Sequence, residues 1–210
     1  MSKASIIKKS VLAGVLIAIG ALFSIAARPY GSVVQGLCFS VGLFVVLCTG
    51  SKLFTGSMLA IEFVWSKDMG ISDALVMWVT LWACNLLGAV CVALMASQTG
   101  FDATEVAIAK AELPWQSLLI RAVLCNVLVC FAVWMFNSSE RTPVDALVSC
   151  VLPVACFVAC GFEHSVADML YMPLGMMQGA VSLTDCMRVI LTATAGNMVG
   201  GIAFAWMVRE

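Results

Sequence analysis

The sequence predicts an all-α polytopic membrane protein with six transmembrane helices, the second and fifth of which are broken. Of its 210 residues, 62% are hydrophobic and 11% are charged, which is far from the composition of a soluble domain. A bilayer core of about 30 Å needs about 20 apolar residues for each helical crossing, so the chain fills about six crossings. We therefore expect one transmembrane domain over residues 1–210.

Four apolar stretches predict continuous spans. They cover residues 10–27, 74–101, 115–136 and 189–208. The first is long enough to cross a bilayer and further spans follow it, so we expect a helix that is retained and not a cleaved signal peptide. The polar segment 102–112 carries too much charge to cross and predicts a loop with a short surface helix.

The second and fifth spans are interrupted. The second covers residues 30–65 and contains Lys52, and the fifth starts near residue 144 and meets Gly161-Phe162-Glu163-His164-Ser165. Breaks in the middle helix of each three-helix half indicate an inverted repeat, with halves at about 1–101 and 113–210, and a permeation or binding site near the midplane. The alternative is a packing protein whose helices kink at glycine, but such kinks do not require ionisable residues beside them.

Lysine and arginine are distributed unevenly between the two ends of these spans. One side carries Lys3, Lys8, Lys9, Lys67, Arg141 and Arg209. The other carries Arg28, Lys110 and Arg188. This bias predicts that both termini are cytoplasmic and that the protein lies in the inner (cytoplasmic) membrane of the cell.

His164 is the only histidine in the chain and lies in an apolar span. An ionisable side chain inside a membrane is costly unless it is paired, and it marks a functional site. Glu163 and Asp168 are either its partners or groups that cap and solvate the helix break.

The composition excludes several classes of function. A net charge of −1 argues against nucleic acid as a partner, because phosphate binding needs clustered cations. The ten cysteines lie in or near apolar runs with no CxxC pair, where thiols serve as small packing groups. With one histidine and no phosphate-binding GxxxxGK[ST] loop, we expect no metal, no cofactor and no enzymatic activity.

Four elements of the sequence resemble the formate/nitrite transporter family. They are Leu53-Phe54-Thr55-Gly56, the segment from Cys125 to Cys130 with Asn126, the segment from Gly161 to Ala167, and Gly196-Asn197. The resemblance covers essentially all six spans. It implies an aquaporin-like fold in a homopentamer, with a separate pore in each protomer for small monovalent anions such as formate, nitrite or hydrosulfide.

The resemblance also implies roles for individual residues. His164 and Thr55 would form the pore centre. The apolar constrictions would be Phe39 and Phe157 on the outer side and Leu43, Leu53, Phe54 and Val129 around the inner side. The outer vestibule would be lined by Lys110 and Asn197. The predicted topology, and not the resemblance, places Arg121 towards the same side, where it would add positive charge.

The sequence departs from the family pattern at two positions. Lys52 stands where an acidic residue is common, and Asp168 stands where Asn is usual. The two charges either compensate each other across the two breaks or alter substrate choice, and Lys52 alternatively extends to the interface.

These residues suggest how an anion crosses. A bare anion in hydrocarbon faces a penalty of tens of kcal/mol, so we expect cations to attract it and protonation near His164 and Thr55 to neutralise it, because desolvation disfavours the charged form. His164 supplies the proton, relays it or only holds the anion. The alternative function is an aquaporin-like channel for small neutral solutes, but no Asn-Pro-Ala element occurs.

Overall fold

The structure is a computed structural model that describes residues 2–138 and 142–209. These two ranges are helical and contain no strand. The α-helices are α1 (Lys3–Ala26), α2 (Ser32–Cys48), α3 (Ile61–Trp65), α4 (Ile71–Ala96), α5 (Thr104–Ala111), α6 (Trp115–Phe136), α7 (Pro143–Ala159), α8 (Ser165–Met177) and α9 (Leu183–Met207). Short 3₁₀ helices occur at Arg28–Tyr30 and Gly56–Ala60.

Helices α1, α4, α6 and α9 are long and apolar enough to cross a membrane. They correspond to the four predicted continuous spans, although α1, α4 and α9 begin earlier than the apolar pattern predicts. Helix α1 begins at Lys3 after an N-cap at Ser2, and α9 begins at Leu183 after a capping box formed by Ser182 and Asp185. The helix starts follow the capping residues and not the first uncharged residue, because a cap satisfies the free N–H groups of the first turn.

The two interruptions lie where the sequence predicts them. Helix α2 ends at Cys48 and is followed by Gly50 at φ 61°, and α7 ends at Ala159 and is followed by Gly161 at φ 66°. A glycine in the left-handed region is a common way to end a helix. The chain becomes helical again at Gly56–Ala60 after the first break and at α8 after the second.

Glycines allow two pairs of long helices to pack closely. A Cβ atom on Gly14 of α1 would lie 2.1 Å from the carbonyl oxygen of Asn85 on α4, and a Cβ on Gly200 of α9 would lie 2.1 Å from the carbonyl oxygen of Val123 on α6. Small residues at helix crossings let backbones approach in this way. Helices α2 and α7 pack against each other between these two pairs.

Helix α5 is the surface helix predicted for segment 102–112, and it lies against α8. An ion pair of 3.1 Å joins Glu105 near its start to Arg28 after α1. At its other end, the guanidinium of Arg188 on α9 donates to the carbonyl oxygens of Ala111 and Leu113. Arg141, which contributed to the predicted orientation, lies outside the described residues.

Candidate functional site

Asn85 on α4 satisfies the backbone of the first break. Its Oδ1 accepts the N–H of Phe54 at 2.8 Å, and its Nδ2 donates to the carbonyl oxygens of Lys52 at 3.1 Å and of Ser10 on α1 at 2.7 Å. The side chain is fully buried. Non-helical backbone at membrane depth needs such partners.

Asn197 on α9 satisfies the backbone of the second break. Its Oδ1 accepts the N–H of Ser165 at 2.8 Å, and its Nδ2 donates to the carbonyl oxygens of Glu163 at 2.9 Å and of Ala122 on α6 at 2.7 Å. It is fully buried and is not among the residues that line the cavity beside His164.

The breaks bring Thr55 and His164 together in the interior. The Oγ1 of Thr55 lies 3.0 Å from Nε2 of His164, and both residues are buried. The N–H of Ala167 in the first turn of α8 donates to Nδ1 of the same ring at 3.1 Å. Since Nδ1 accepts this bond, a neutral His164 carries its proton on Nε2 and donates it to Thr55.

Asn126 on α6 holds the first break from the opposite side. Its Nδ2 donates to the carbonyl oxygen of Thr55 at 3.1 Å and to that of Asn197 at 2.6 Å. The position of the Thr55 hydroxyl is therefore fixed through its own backbone.

Two phenylalanines contact the imidazole. The rings of Phe39 and Phe157 meet edge to face with centroids 5.7 Å apart, and the ring of Phe157 stacks on His164 at 5.9 Å with an interplanar angle of 17°. Phe39 contacts the edge of the same imidazole at 6.3 Å. Both phenylalanines are buried, so an apolar aromatic pair lies directly against the buried polar centre.

A cavity of about 330 Å³ opens on this aromatic pair. Its walls include His164, Phe39 and Phe157 together with the charged side chains of Lys110, Arg121 and Glu163. Arg121 also donates to the carbonyl oxygen of Gly161 at 3.3 Å, across the second break. The cavity therefore combines cations at its walls with an imidazole behind an apolar pair.

Lys110 on α5 forms two ion pairs. Its Nζ lies 2.5 Å from Oε2 of Glu163 and 2.8 Å from Oδ1 of Asp168. Glu163 and Asp168 are therefore partners of Lys110, and neither carboxylate accepts a hydrogen bond from His164. Asp168 also has no ion pair with Lys52, whose side chain is exposed, so these two charges do not compensate each other across the breaks.

The remaining predicted constriction residues are buried. They are Leu43, Leu53, Phe54 and Val129.

Asn85 is a site residue that the sequence analysis does not single out. Its signal was available, because Asn85 follows Lys52 by 33 residues much as Asn197 follows Glu163 by 34, and each is the asparagine of its apolar span.

Known protein sequences are similar to this chain over nearly its whole length. A sequence model described as Formate/nitrite transporter matches residues 1–209. A "Probable formate transporter" of Methanothermobacter thermautotrophicus is 35% identical, over 95% of this chain and 85% of that protein.

Two solved structures share the fold. An "FNT family ion channel" is 27% identical with a TM-score of 0.89, over 100% of this chain and 92% of that chain. A "Pentameric formate channel with formate bound" is 26% identical with a TM-score of 0.80, over 99% of this chain and 97% of that chain. The chain is thus an integral membrane protein of a group of transporters and channels and not an enzyme, and it belongs to the formate/nitrite transporter family.

Proposed function

We propose that this protein is a passive or proton-coupled channel for small monovalent weak-acid anions, with formate as the first candidate and nitrite or hydrosulfide next. The observation that carries the proposal is the Thr55–His164 pair behind Phe39 and Phe157, at the end of a cavity whose wall includes Arg121. The likeness to a formate channel of known structure supports formate.

Anion entry starts in the cavity, where Arg121 raises the local anion concentration. The charge of Lys110 is balanced there by Glu163 and Asp168. Phe39 and Phe157 then remove the hydration shell. The donors that replace it are the hydroxyl of Thr55 and the Nε2–H of His164, which exchanges its hydrogen bond to Thr55 for one to the anion. Desolvation raises the affinity of the anion for a proton, and the neutral acid passes the apolar residues Leu43, Leu53 and Val129.

His164 acts here as a hydrogen-bond donor and not as a resident cation. A second proton on the ring would have to sit on Nδ1, which already accepts the N–H of Ala167. Protonation would therefore break the N-cap of α8. The proton that neutralises the anion comes from water in the cavity.

The six-span topology belongs to the same proposal. Four spans are continuous helices, namely α1, α4, α6 and α9. The second span consists of α2 and residues 56–65, and the fifth consists of α7 and α8. The equivalent bonds of Asn85 and Asn197 support inverted halves at about 1–101 and 113–210 in an aquaporin-like arrangement. The excess of lysine at the amino terminus supports cytoplasmic termini in the inner membrane.

We also propose a homopentamer, supported by the pentameric formate channel of similar fold. Large apolar side chains are exposed on the outer faces of the helices, such as Val76, Val79, Leu152 and Trp206. Lipid tails and neighbouring protomers would cover them. Native mass spectrometry in mild detergents tests this, and monomers alone in several detergents would contradict it.

The test of substrate class is a flux panel in liposomes. Formate, nitrite, hydrosulfide, acetate and lactate are compared at two pH values, with glycerol swelling as the measure of neutral-solute passage. We expect formate, nitrite and hydrosulfide to pass and glycerol to be excluded. Glycerol passage without anion flux would favour the aquaporin-like alternative.

A further inference from the structure

The ion cluster beside the cavity contains one more carboxylate than cation. Lys110 contacts Glu163 and Asp168 through the same Nζ, so the two carboxylates lie within a few ångström of each other. The side chains are 12%, 4% and 0% exposed, in that order. If all three groups are ionised, this buried cluster carries a charge of −1.

No other cation in the described residues pairs with these carboxylates. The other titratable groups near this cluster are His164 at the break, Tyr171 on α8 and the Cys125 thiol on α6. The ring of Tyr171 lies 5.5 Å from Nζ of Lys110. Arg121 points to the carbonyl oxygen of Gly161. The surplus negative charge is therefore not neutralised by a second base.

Asp168 lacks the partners that a buried carboxylate requires. Its Oδ2 has neither an ion pair nor a hydrogen-bond partner among the described residues. An ionised oxygen in that setting is costly. If Glu163 and Asp168 share one proton, the surplus negative charge disappears. That proton also lets the unpaired Oδ2 of Asp168 take part in a hydrogen bond.

Lys110 is not the group that loses the proton. Burial lowers its pKa, but Asp168 and Glu163 raise it by more, and the net effect is a pKa above the usual range of lysine. The exchangeable proton therefore belongs to the carboxyl pair. Glu163 lines the cavity, which gives that proton a path to the solution.

We propose that Glu163 and Asp168 share one exchangeable proton and, with Lys110, form a charge switch in the wall of the cavity. With the proton bound, the cluster is neutral and anions enter. Release of the proton to water leaves a charge of −1, which repels anions. Asp168 thus makes anion entry into this chain depend on pH, and the transport consequence rests on the proposed anion-channel function.

Infrared spectroscopy of the purified protein tests the shared proton directly. Above about pH 6, where ordinary carboxyl groups are ionised, we expect the C=O band of a protonated carboxyl in the wild type, with a shift in heavy water. Asp168→Asn removes this band because Glu163 then pairs alone with Lys110, and Glu163→Gln is a second variant with the same expected result. The matched control Asp73→Asn, at an exposed position, keeps the band. Absence of the band from the wild type, or its persistence in both variants, overturns the proposal.

Formate flux in liposomes tests the switch itself. The ratio of Asp168→Asn flux to wild-type flux cancels the pH dependence of the anion's own protonation. We expect a ratio near one at low pH that rises severalfold at high pH, and a ratio that is constant with pH overturns the switch. Absence of flux from both proteins counts against the anion-channel function, while the infrared band still decides whether the proton is shared.

Discussion

Asn85 and Asn197 make equivalent hydrogen bonds at the two helix breaks. Each amide accepts one N–H of its own break and donates to one carbonyl oxygen of that break and to one on a neighbouring long helix. These bonds fix Phe54 and Ser165, which directly adjoin Thr55 and His164. The polar centre is thus positioned by two buried amides that do not touch the cavity.

Asn85→Leu and Asn197→Leu should each destabilise the protein strongly. Leucine has a similar volume but leaves two buried backbone groups of the break without partners, at about 1–3 kcal/mol for each group. We expect a clear fall in the midpoint of thermal unfolding in detergent for both variants. The control is Asn137→Leu at an exposed position. Equal midpoints for all three variants would contradict a structural role for the amides.

Gly200→Ala should weaken the packing of α9 on α6. The added methyl group would lie 2.1 Å from a backbone oxygen of Val123, which has no rotamer to change. Overpacking of this kind costs about 1–3 kcal/mol, measured as a lower unfolding midpoint. The control is Val199→Ala, on the exposed face of the same helix, which should have little effect. If Gly200→Ala unfolds at the same midpoint as this control, the close approach of α9 to α6 is not required for stability.

Thr55→Val should reduce formate flux without abolishing it. Valine keeps the shape but deletes the hydroxyl that lies 3.0 Å from Nε2 of His164, and one hydrogen bond contributes about 0.5–1.5 kcal/mol, or about two- to tenfold in rate. Stopped-flow flux in liposomes measures the change. Thr55→Ser retains the hydroxyl and should restore most of the rate, so equal loss in both variants would remove the hydroxyl from the mechanism.

Lys52→Glu should leave the concentration of formate that gives half-maximal flux unchanged. The Lys52 side chain is exposed and does not line the cavity, so its charge is screened by salt. Lys110→Met, which alters the cavity wall, serves as the positive control and should change that concentration. A clear rise for Lys52→Glu at low salt would instead indicate a lysine that faces the pore.

The positions of both breaks could be predicted from the sequence, because Lys52 and the Gly161–Ser165 segment place charge and glycine inside apolar runs. The ion pair between Asp168 and Lys110 could not be predicted from the sequence. Lys110 lies 58 residues earlier on a surface helix, and its contact depends on how α5 folds over α8, which periodicity within a span does not reveal. The sequence pattern also does not distinguish the helical segments that follow the two breaks. The segment after the first break is a 3₁₀ helix, Gly56–Ala60, whereas the segment after the second is the α-helix α8.

The most direct test of the anion pathway is formate flux through reconstituted wild-type protein and His164→Phe. Phenylalanine is of similar size and fits beside Phe39 and Phe157, so the variant should fold, which helicity and elution volume verify. It lacks the one imidazole of the chain. We predict saturable, pH-dependent formate flux for the wild type and flux near that of empty liposomes for the variant. Unchanged flux with the wild-type pH dependence would contradict the role of His164.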